Sequence, residues 1–311
     1  MSRINVALLA GGWSGEREVS LNGKEAIYRA LDKGKYKVMS YDPRDELGAL
    51  IEKKGQIDIA FIVLHGKYGE DGCIQGLLDI LGMPYVGSGV LSSAMAMNKK
   101  ITKDIYKGIG LKVPGDMVIK RCDKVSVDEI VGRIGSVQIV KPVCQGSSIG
   151  VSVCRTNDEL IAGIEKALKY DPEVIVEEFI DGREITCCVL GDKILETLPL
   201  IEIVPSNPNR FFDYEAKYTP GATHEICPAH ILPAFAESAK YCAKMAHRAL
   251  KCSVWSRTDM IIRDKEIYML ETNTIPGMTE NSLFPLAARA AGLSLSDLVD
   301  RLIMLALEDR F

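Results

Sequence analysis

Three short apolar segments alternate with helical patterns in the first third of the chain, and they restrict the fold more than any other feature. They cover residues 4–9, 36–41 and 57–64. A strand that is apolar along its whole length is typical of a parallel sheet buried on both faces. Helical spacing at 19–31 and 73–81 separates these strands from one another and from a short strand expected at 84–86. The sequence therefore predicts an open parallel α/β sheet, with ligand groups at the carboxyl ends of its strands.

The remaining two thirds of the chain mix strands and helices in an α+β pattern. A basic helix is expected at 98–108, and an amphipathic helix has apolar residues at helical spacing between 232 and 250. A terminal helix begins at Leu295, with Ser294 and Asp297 as a capping pair. We predict three domains, which cover residues 1–96, 97–182 and 183–311.

The composition excludes several classes of protein. Of the 311 residues, 47% are hydrophobic, and no run approaches the roughly 18 uncharged apolar residues that a membrane helix requires. A formal net charge of −4 argues against a nucleic-acid partner held by bulk charge. The nine cysteines include no Cys-x-x-Cys pair, so neither a disulfide framework nor a zinc site is expected. We expect a cytoplasmic protein in which most cysteines are small buried hydrophobic residues.

The strongest chemical pattern lies in the last predicted hairpin, between residues 254 and 273. A three-residue loop at 264–266 would pair position 263 with 267 and would place Asp259 opposite Glu271. Because side chains alternate along a strand, these two acids would share one face with Arg257 and Asn273. Two carboxylates and an amide oxygen suit Mg²⁺ together with phosphate oxygens. A solvated polar face is the alternative, although both strands are otherwise strongly apolar.

A second pattern places Lys141 at the end of a buried strand, just before a loop that contains Gly146, Ser147 and Ser148. Backbone N–H groups of such a loop can cradle phosphates, but the Walker sequence is missing and an ordinary turn is the alternative. Acids near a strand end could hold ribose hydroxyls or belong to an exposed hairpin; they are Glu177, Glu178 and Glu184. A group of lysines could face phosphate or form a solvated helix face, which we favour; they are Lys99, Lys100 and Lys103.

The loop after the first strand, residues 11–18, has glycines without the Gly-x-Gly-x-x-Gly spacing of dinucleotide-binding proteins, and it presents acids instead. Glu16 at this strand end would suit a substrate ammonium group, although acids also favour helix N-termini for electrostatic reasons. His65 ends the third strand and should lie beside this loop. A structural role is the more common one for a single histidine, so both roles stay open.

Six segments in order resemble the D-alanine–D-alanine ligase family, whose members have the ATP-grasp fold. They are GGWSGEREVS (11–20), HGKYGEDG (65–72), KPVCQGSS (141–148), DYEAKY (213–218), RTD (257–259) and ETNTIPGMT (271–279). Any one of them is suggestive, whereas six in order across nearly the whole chain are highly specific. The resemblance implies an ATP-grasp fold preceded by the open parallel α/β domain.

The resemblance also implies that the protein uses ATP and two Mg²⁺ ions, with Mn²⁺ as an alternative ion. Asp259, Glu271 and Asn273 would bind the metal, with Glu271 bridging the two ions. Lys217 would lie near the γ-phosphate, in a lid formed by residues 205–227. The other residues expected to hold ATP are Lys99, Lys141, Ser148, Glu177 and Glu184.

On the substrate side, the resemblance implies that Glu16 anchors the ammonium group of the first D-alanine in a hydrogen-bonded triad with Ser147 and Tyr218. ATP would convert the carboxylate of this D-alanine to an acyl phosphate, which the amine of the second D-alanine attacks. Arg257 and the Gly277 N–H would stabilise the tetrahedral oxyanion. The remaining substrate contacts are expected from His65, Ser282 and Leu283.

The implied product is a precursor for peptidoglycan, and the expected partners are D-alanine and ATP, with no nucleic acid and no membrane. We expect a homodimer. Alternatives are a ligase for D-lactate or D-serine, another ATP-grasp carboxylate–amine ligase, and a catalytically silent ATP-binding regulatory protein. The presence of Asp259, Glu271 and Asn273 together argues against a catalytically silent protein. Lys217-Tyr218 favours an amine as the acceptor. Three departures from the family pattern concern loop packing and nucleotide affinity; they are Trp13, Asn98 and Gln145.

Overall fold

The computed structural model describes residues 3–206 and 223–308, and its N-terminal part is the predicted parallel sheet. The strands lie in the order β2-β1-β3-β4 and are all parallel. Because every residue of β3 is buried, this strand is covered on both faces, as its uninterrupted apolar sequence predicted. The strands are β1 (Ile4–Leu9), β2 (Tyr36–Tyr41), β3 (Ile59–Ile62) and β4 (Tyr85–Val86), and the helices are α1 (Arg17–Ala30), α2 (Pro43–Glu52) and α3 (Cys73–Leu81).

The central part of the chain forms an antiparallel sheet of order β5-β8-β6-β7, preceded by two helices. Polar side chains cap three of its helices: Asn98, Ser126 and Thr156 each accept a hydrogen bond from the backbone N–H three residues later. The strands are β5 (Asp116–Lys120), β6 (Gln138–Pro142), β7 (Ser152–Cys154) and β8 (Glu173–Glu178). The helices are α4 (Val90–Met97), α5 (Lys99–Gly108), α6 (Val127–Ile134) and α7 (Asn157–Ala167).

The C-terminal part is built on a second antiparallel sheet, of order β12-β11-β9-β13-β14, with β10 paired to β9. The strands are β9 (Arg183–Leu190), β10 (Glu196–Thr197), β11 (Ile201–Pro205), β12 (Thr223–Ile226), β13 (Trp255–Arg263) and β14 (Glu266–Asn273). The helices are α8 (Pro233–Ala249), α9 (Leu283–Ala290) and α10 (Leu295–Glu308). The predicted cap of α10 is confirmed, because Ser294 and Asp297 exchange hydrogen bonds.

The hairpin of β13 and β14 differs from the prediction in its loop. Arg263 pairs with Glu266, so the turn contains only Asp264 and Lys265, and the expected pairing of 263 with 267 is wrong. The register then shifts between Met260 and Asp259, and Leu270 is the additional residue. This β-bulge restores the predicted pairing of Asp259 with Glu271. The face that carries Arg257, Asp259, Glu271 and Asn273 therefore forms as expected, but a two-residue turn and a bulge produce it.

A large hydrophobic cluster joins the parallel sheet to the C-terminal part of the chain, and Trp255 lies within it. The indole ring is fully buried and packs edge-on against Phe61 of β3, with centroids 6.3 Å apart, and against Phe284 of α9, at 5.1 Å. Such aromatic pairs add to the stabilisation that comes from burial itself. Trp255 of β13 therefore connects the parallel sheet with α9.

We predict that Trp255→Ala lowers the free energy of unfolding by about 3–5 kcal/mol, because it leaves a large cavity between two packed elements. Urea unfolding monitored by circular dichroism measures this loss. Tyr241→Ala is the matched control, since 64% of Tyr241 is exposed and its loss should change stability by less than about 0.5 kcal/mol. Equal midpoints for the two variants would contradict the role given to Trp255.

Candidate active site

Two adjoining cavities mark the candidate site. The first lies between the central and C-terminal sheets and is rich in basic and polar groups, including Lys99, Lys141, Ser148 and Glu184. The second, of about 700 Å³, opens at the carboxyl ends of β1 and β3 and is lined by residues that include Glu16, His65, Arg257, Gly277, Ser282 and Leu283. The two cavities share four lining residues, namely Gly146, Ser147, Asp259 and Glu271. A group could therefore pass from one cavity to the other at these residues.

The polar face of the β13–β14 hairpin lies at this junction, as the sequence predicted. Arg257 donates two hydrogen bonds to Asp259, from Nε to Oδ1 and from an η nitrogen to Oδ2, each 2.9 Å long. Burial would lower the pKa of Arg257, but the neighbouring Asp259 carboxylate outweighs it, so the pKa is raised. Asn273 Nδ2 lies 3.3 Å from Asp259 Oδ2. The guanidinium is therefore held charged and in a fixed orientation.

The oxygen atoms on this face fit a magnesium ion only in combination with a phosphate ligand. Among the described residues, no cluster of three or more His, Cys, Asp or Glu side chains could hold a metal by itself. The available set is two carboxylates, Asp259 and Glu271, together with the Asn273 amide. Magnesium in nucleotide sites is commonly bound by one or two carboxylates plus substrate phosphates, and this donor set is of that kind.

Two lysines face the first cavity. Lys99, at the start of α5, donates to the Gln145 carbonyl and lies 3.9 Å from Glu271 Oε2. Lys141 is the penultimate residue of β6, and its Nζ lies 2.7 Å from Glu177 Oε2. Burial would lower the pKa of Lys141, but the Glu177 and Glu271 carboxylates outweigh it, so the net shift is upward. Both ammonium groups can therefore attract an anion into this cavity.

The structure corrects the interpretation of the lysines as a solvated helix face. Lys103 is fully buried, and its Nζ lies 2.8 Å from Glu177 Oε1, whereas Lys100 is partly exposed. Glu177 is itself buried rather than part of an exposed hairpin. Burial would raise the pKa of Glu177, but Lys103 and Lys141 outweigh it and lower that pKa to about 2. Glu177 thus lies behind Lys141, whereas Glu184 lines the cavity directly.

The loop after β6 brings the two cavities together. Ser147 and Ser148 have φ angles of 50° and 56°, in the left-handed region that non-glycine residues seldom adopt. Backbone strain of this kind is concentrated at functional sites. The Ser147 hydroxyl donates to Oε1 of Glu16, a mostly buried residue at the N-terminus of α1. Two members of the predicted triad are thus in contact; the third, Tyr218, and the predicted ATP residue Lys217 lie outside the described residues.

His65 follows β3 and lines the second cavity together with Glu16, so it lies beside the first loop as the sequence predicted. Its Nδ1 lies 3.9 Å from Glu70 Oε1, and the other oxygen of Glu70 accepts a 2.6 Å hydrogen bond from the Gly66 N–H. Burial would lower the pKa of His65, but Glu70 outweighs it, so the net shift is upward. Glu16 is the next acid to contribute to this shift. The imidazole thus lies between acids, in a position to contact a substrate.

The N-terminus of α9 forms the far wall of the second cavity. Ser282 precedes this helix, and its Oγ accepts a 3.0 Å hydrogen bond from the Thr279 N–H. The hydroxyl therefore does not cap the helix, and the first backbone N–H groups of α9 are available for an anion such as a substrate carboxylate. Gly277 lines the same wall, and a Cβ atom there would come within 3.0 Å of Ser282 Oγ.

Sequence reasoning missed three side chains that hold the site in place. Thr186 of β9 donates a 2.5 Å hydrogen bond to Asp259, Glu70 pairs with His65, and the Thr279 hydroxyl lies 2.7 Å from Ser282 Oγ. Glu70 and Thr279 lie within the family-like segments and could have been proposed from them. Thr186 gave no signal, because its contact depends on the pairing of β9 with β13, which are far apart in the chain.

The cysteines differ from the expectation that most are buried. Four are buried, two are intermediate and three are exposed, and all nine are free thiols. Burial raises the pKa of Cys144, the one closest to the loop after β6. A raised pKa disfavours the reactive thiolate. No helix in the described part of the chain is long and apolar enough to cross a membrane.

Known proteins match this chain over nearly its whole length. The model of the D-ala D-ala ligase C-terminus matches residues 105–304, and that of the N-terminus matches residues 42–88. A D-alanine–D-alanine ligase of Syntrophobacter fumaroxidans is 52% identical, over 99% of each chain. The structure of the Bacillus anthracis D-alanine–D-alanine ligase complexed with ATP matches with a TM-score of 0.87 and 36% identity, covering 99% of this chain and 98% of that one.

A ligase named for a different acceptor also matches. The VanG D-Ala:D-Ser ligase of Enterococcus faecalis is 32% identical, with a TM-score of 0.84 and coverage of 98% of this chain and 100% of that one. These similarities extend over all three sheets, so they confirm the predicted ATP-grasp fold preceded by a parallel α/β unit. Full-length identity above one half, together with two family models in the expected order, shows that this chain belongs to the D-alanine–D-alanine ligase family.

Proposed function

We propose that this protein uses ATP to join two D-alanine molecules through a D-alanyl phosphate intermediate. The observation that carries the proposal is the junction between the two cavities at Ser147, Asp259 and Glu271. The first cavity offers ammonium groups to a polyanion, and the second offers acids and a helix N-terminus to amino acids. Relatives that match over the full length are named D-alanine–D-alanine ligases, and one is described as complexed with ATP.

In the first step, Lys99 and Lys141 would hold the phosphates of ATP at the junction, and Ser148 would add backbone or hydroxyl donors. Glu184 would remain beside the ribose. Glu16, held by Ser147, would bind the ammonium group of the first D-alanine and aim its carboxylate at the γ-phosphate. Positioning and charge neutralisation provide most of the catalysis in phosphoryl transfer. Asp259, Glu271 and Asn273 would hold two Mg²⁺ ions, which neutralise charge on the transferred phosphate when bound.

In the second step, the amine of the second D-alanine would attack the acyl phosphate and expel phosphate. Ser282 and the N-terminus of α9 would bind the carboxylate of this second molecule. Negative charge then grows on the carbonyl oxygen of the first, and Arg257 together with the Gly277 N–H would stabilise it. Closure that excludes water would protect the acyl phosphate from hydrolysis.

The acceptor is tested by measuring phosphate release from ATP with D-alanine, D-serine, D-lactate and L-alanine. We expect the highest rate with D-alanine alone and a dipeptide as product. Faster release when D-serine or D-lactate accompanies D-alanine would favour the alternative acceptors, of which D-serine has support from the VanG match. Release no greater than with ATP alone in every mixture would indicate a silent nucleotide-binding protein and would contradict the proposal.

Arg257→Ala is expected to lower kcat by about 10²–10³, the usual cost of removing one donor to a developing oxyanion. The charge that this guanidinium stabilises is greater in the transition state than in the ground state, so rate should suffer more than binding. Arg257→Lys should recover activity only in part, because an ammonium group cannot reproduce the forked contact with Asp259. Steady-state kinetics separate the parameters: a normal kcat with a raised KM would make Arg257 a binding residue only.

Glu271→Gln is expected to raise the Mg²⁺ concentration needed for half-maximal activity and to lower kcat severely. The substitution retains the shape of the side chain but removes a charge where two dications would lie together. Titration of activity with Mg²⁺ at saturating ATP measures the shift, and Glu266→Gln is a control on the same strand, because Glu266 pairs with Lys112 outside both cavities. Identical Mg²⁺ curves for wild type and Glu271→Gln would reject the metal assignment.

Two further expectations accompany the proposal. A cytoplasmic location agrees with nine free thiols, which persist in a reducing compartment. The product would then serve peptidoglycan precursor synthesis. The homodimer expected for this chain stays a prediction, and sedimentation or light scattering of the purified protein measures it directly.

A further inference from the structure

The buried lysine of α5 has no place in the reaction described above. Lys103 follows Lys99 by one helical turn, but it is fully buried and lines neither cavity. Its Nζ lies 2.8 Å from Glu177 Oε1 and 3.9 Å from Asp116 Oδ1. A buried ammonium group is costly unless it is paired, so its presence requires an explanation.

Glu177 connects Lys103 to the first cavity, which the proposed function assigns to ATP. One oxygen of its carboxylate contacts Lys103 and the other lies 2.7 Å from Lys141 Nζ, which lines the cavity. All three side chains are largely buried, so solvent screens the contacts weakly. A single carboxylate is therefore shared by two ammonium groups, and the group of three carries a net positive charge.

We propose that Lys103 is a positioning residue for ATP: it occupies one oxygen of Glu177, so that the charge of Lys141 is only partly compensated and can act on a phosphate. The inference rests on the assignment of Lys141 to ATP in the proposed function. Without Lys103, Glu177 and Lys141 would form a neutral pair. Such a pair attracts a phosphate far less than a cluster with net positive charge does.

The first test is Lys103→Met, which retains the length of the side chain and removes its charge. ATP KM should rise about tenfold, equivalent to about 1.4 kcal/mol, while kcat and the KM for D-alanine change less than about threefold. Lys103→Arg, which restores the charge, should bring ATP KM back toward the wild-type value. Lys107→Met is the matched control, because Lys107 lies on the same helix and pairs with Asp116 but not with Glu177.

A folded Lys103→Met protein with wild-type ATP KM, or with kcat reduced and ATP KM unchanged, would overturn the proposal and leave Lys103 a structural residue. Lys141→Met separates this failure from that of the proposed function. A raised ATP KM in Lys141→Met with a normal one in Lys103→Met overturns only the role of Lys103. Normal ATP KM values in both variants also contradict the assignment of Lys141 to ATP.

Lys103→Met could fail to fold, because it leaves the buried Glu177 carboxylate with one partner fewer. A second comparison therefore uses variants without this carboxylate. The two variants whose ATP KM is compared are Glu177→Gln and the double variant Lys103→Met/Glu177→Gln. If Lys103 acts through Glu177, these two proteins should share one ATP KM within about twofold. A further rise of more than about threefold in the double variant would show that Lys103 acts by another route, and the proposal would be wrong.

Discussion

The ion pair between Arg257 and Asp259 is the interaction on which the geometry of the site depends. Both partners are largely buried, and a buried charge that lost its partner would be strongly destabilising. The forked contact fixes the Asp259 carboxylate in one plane, and Thr186 and Asn273 hold it from the neighbouring strands. The contacts of this one carboxylate therefore depend on the pairing of β13 with both β9 and β14. A slip of one residue in either pairing would place Asp259 and its partners on that strand on opposite faces of the sheet.

Around this carboxylate, further acids and two lysines lead toward the first cavity. Glu271 lies opposite Asp259, Lys99 lies 3.9 Å from Glu271, and Lys141 is held by Glu177. Each charged group has a partner of opposite sign close by, which reduces the cost of desolvating it. Such an arrangement can exchange protein partners for phosphate oxygens and cations without exposing an unpaired charge. The junction between the cavities could therefore bind several charged groups at the same time.

Much of this architecture was predictable from local sequence, because its causes are local. Mainly apolar segments predicted the bounds of β1 and β2, and Ser294 with Asp297 predicted the start of α10. The bulge at Leu270 was not predictable, since no residue there differs from its neighbours in character. The burial of Lys103 was also missed, because lysines usually lie at the surface and its partner Glu177 is 74 residues away. Contacts that depend on pairing between distant strands leave no periodic trace in the sequence.

The loop of Gly146, Ser147 and Ser148 shows why small residues are needed where the two cavities meet. A Cβ atom on Gly146 would come within 3.3 Å of Glu16 Oε2, so a larger residue would press against the carboxylate expected to bind the substrate ammonium group. Ser147 and Ser148 adopt left-handed angles that cost more for bulky or β-branched residues. This backbone conformation accompanies a hydrogen bond from the Ser147 hydroxyl to Glu16, which is 131 residues away in the sequence. The strain in this loop thus accompanies a contact between the loop after β6 and the N-terminus of α1, at the residues where the two cavities meet.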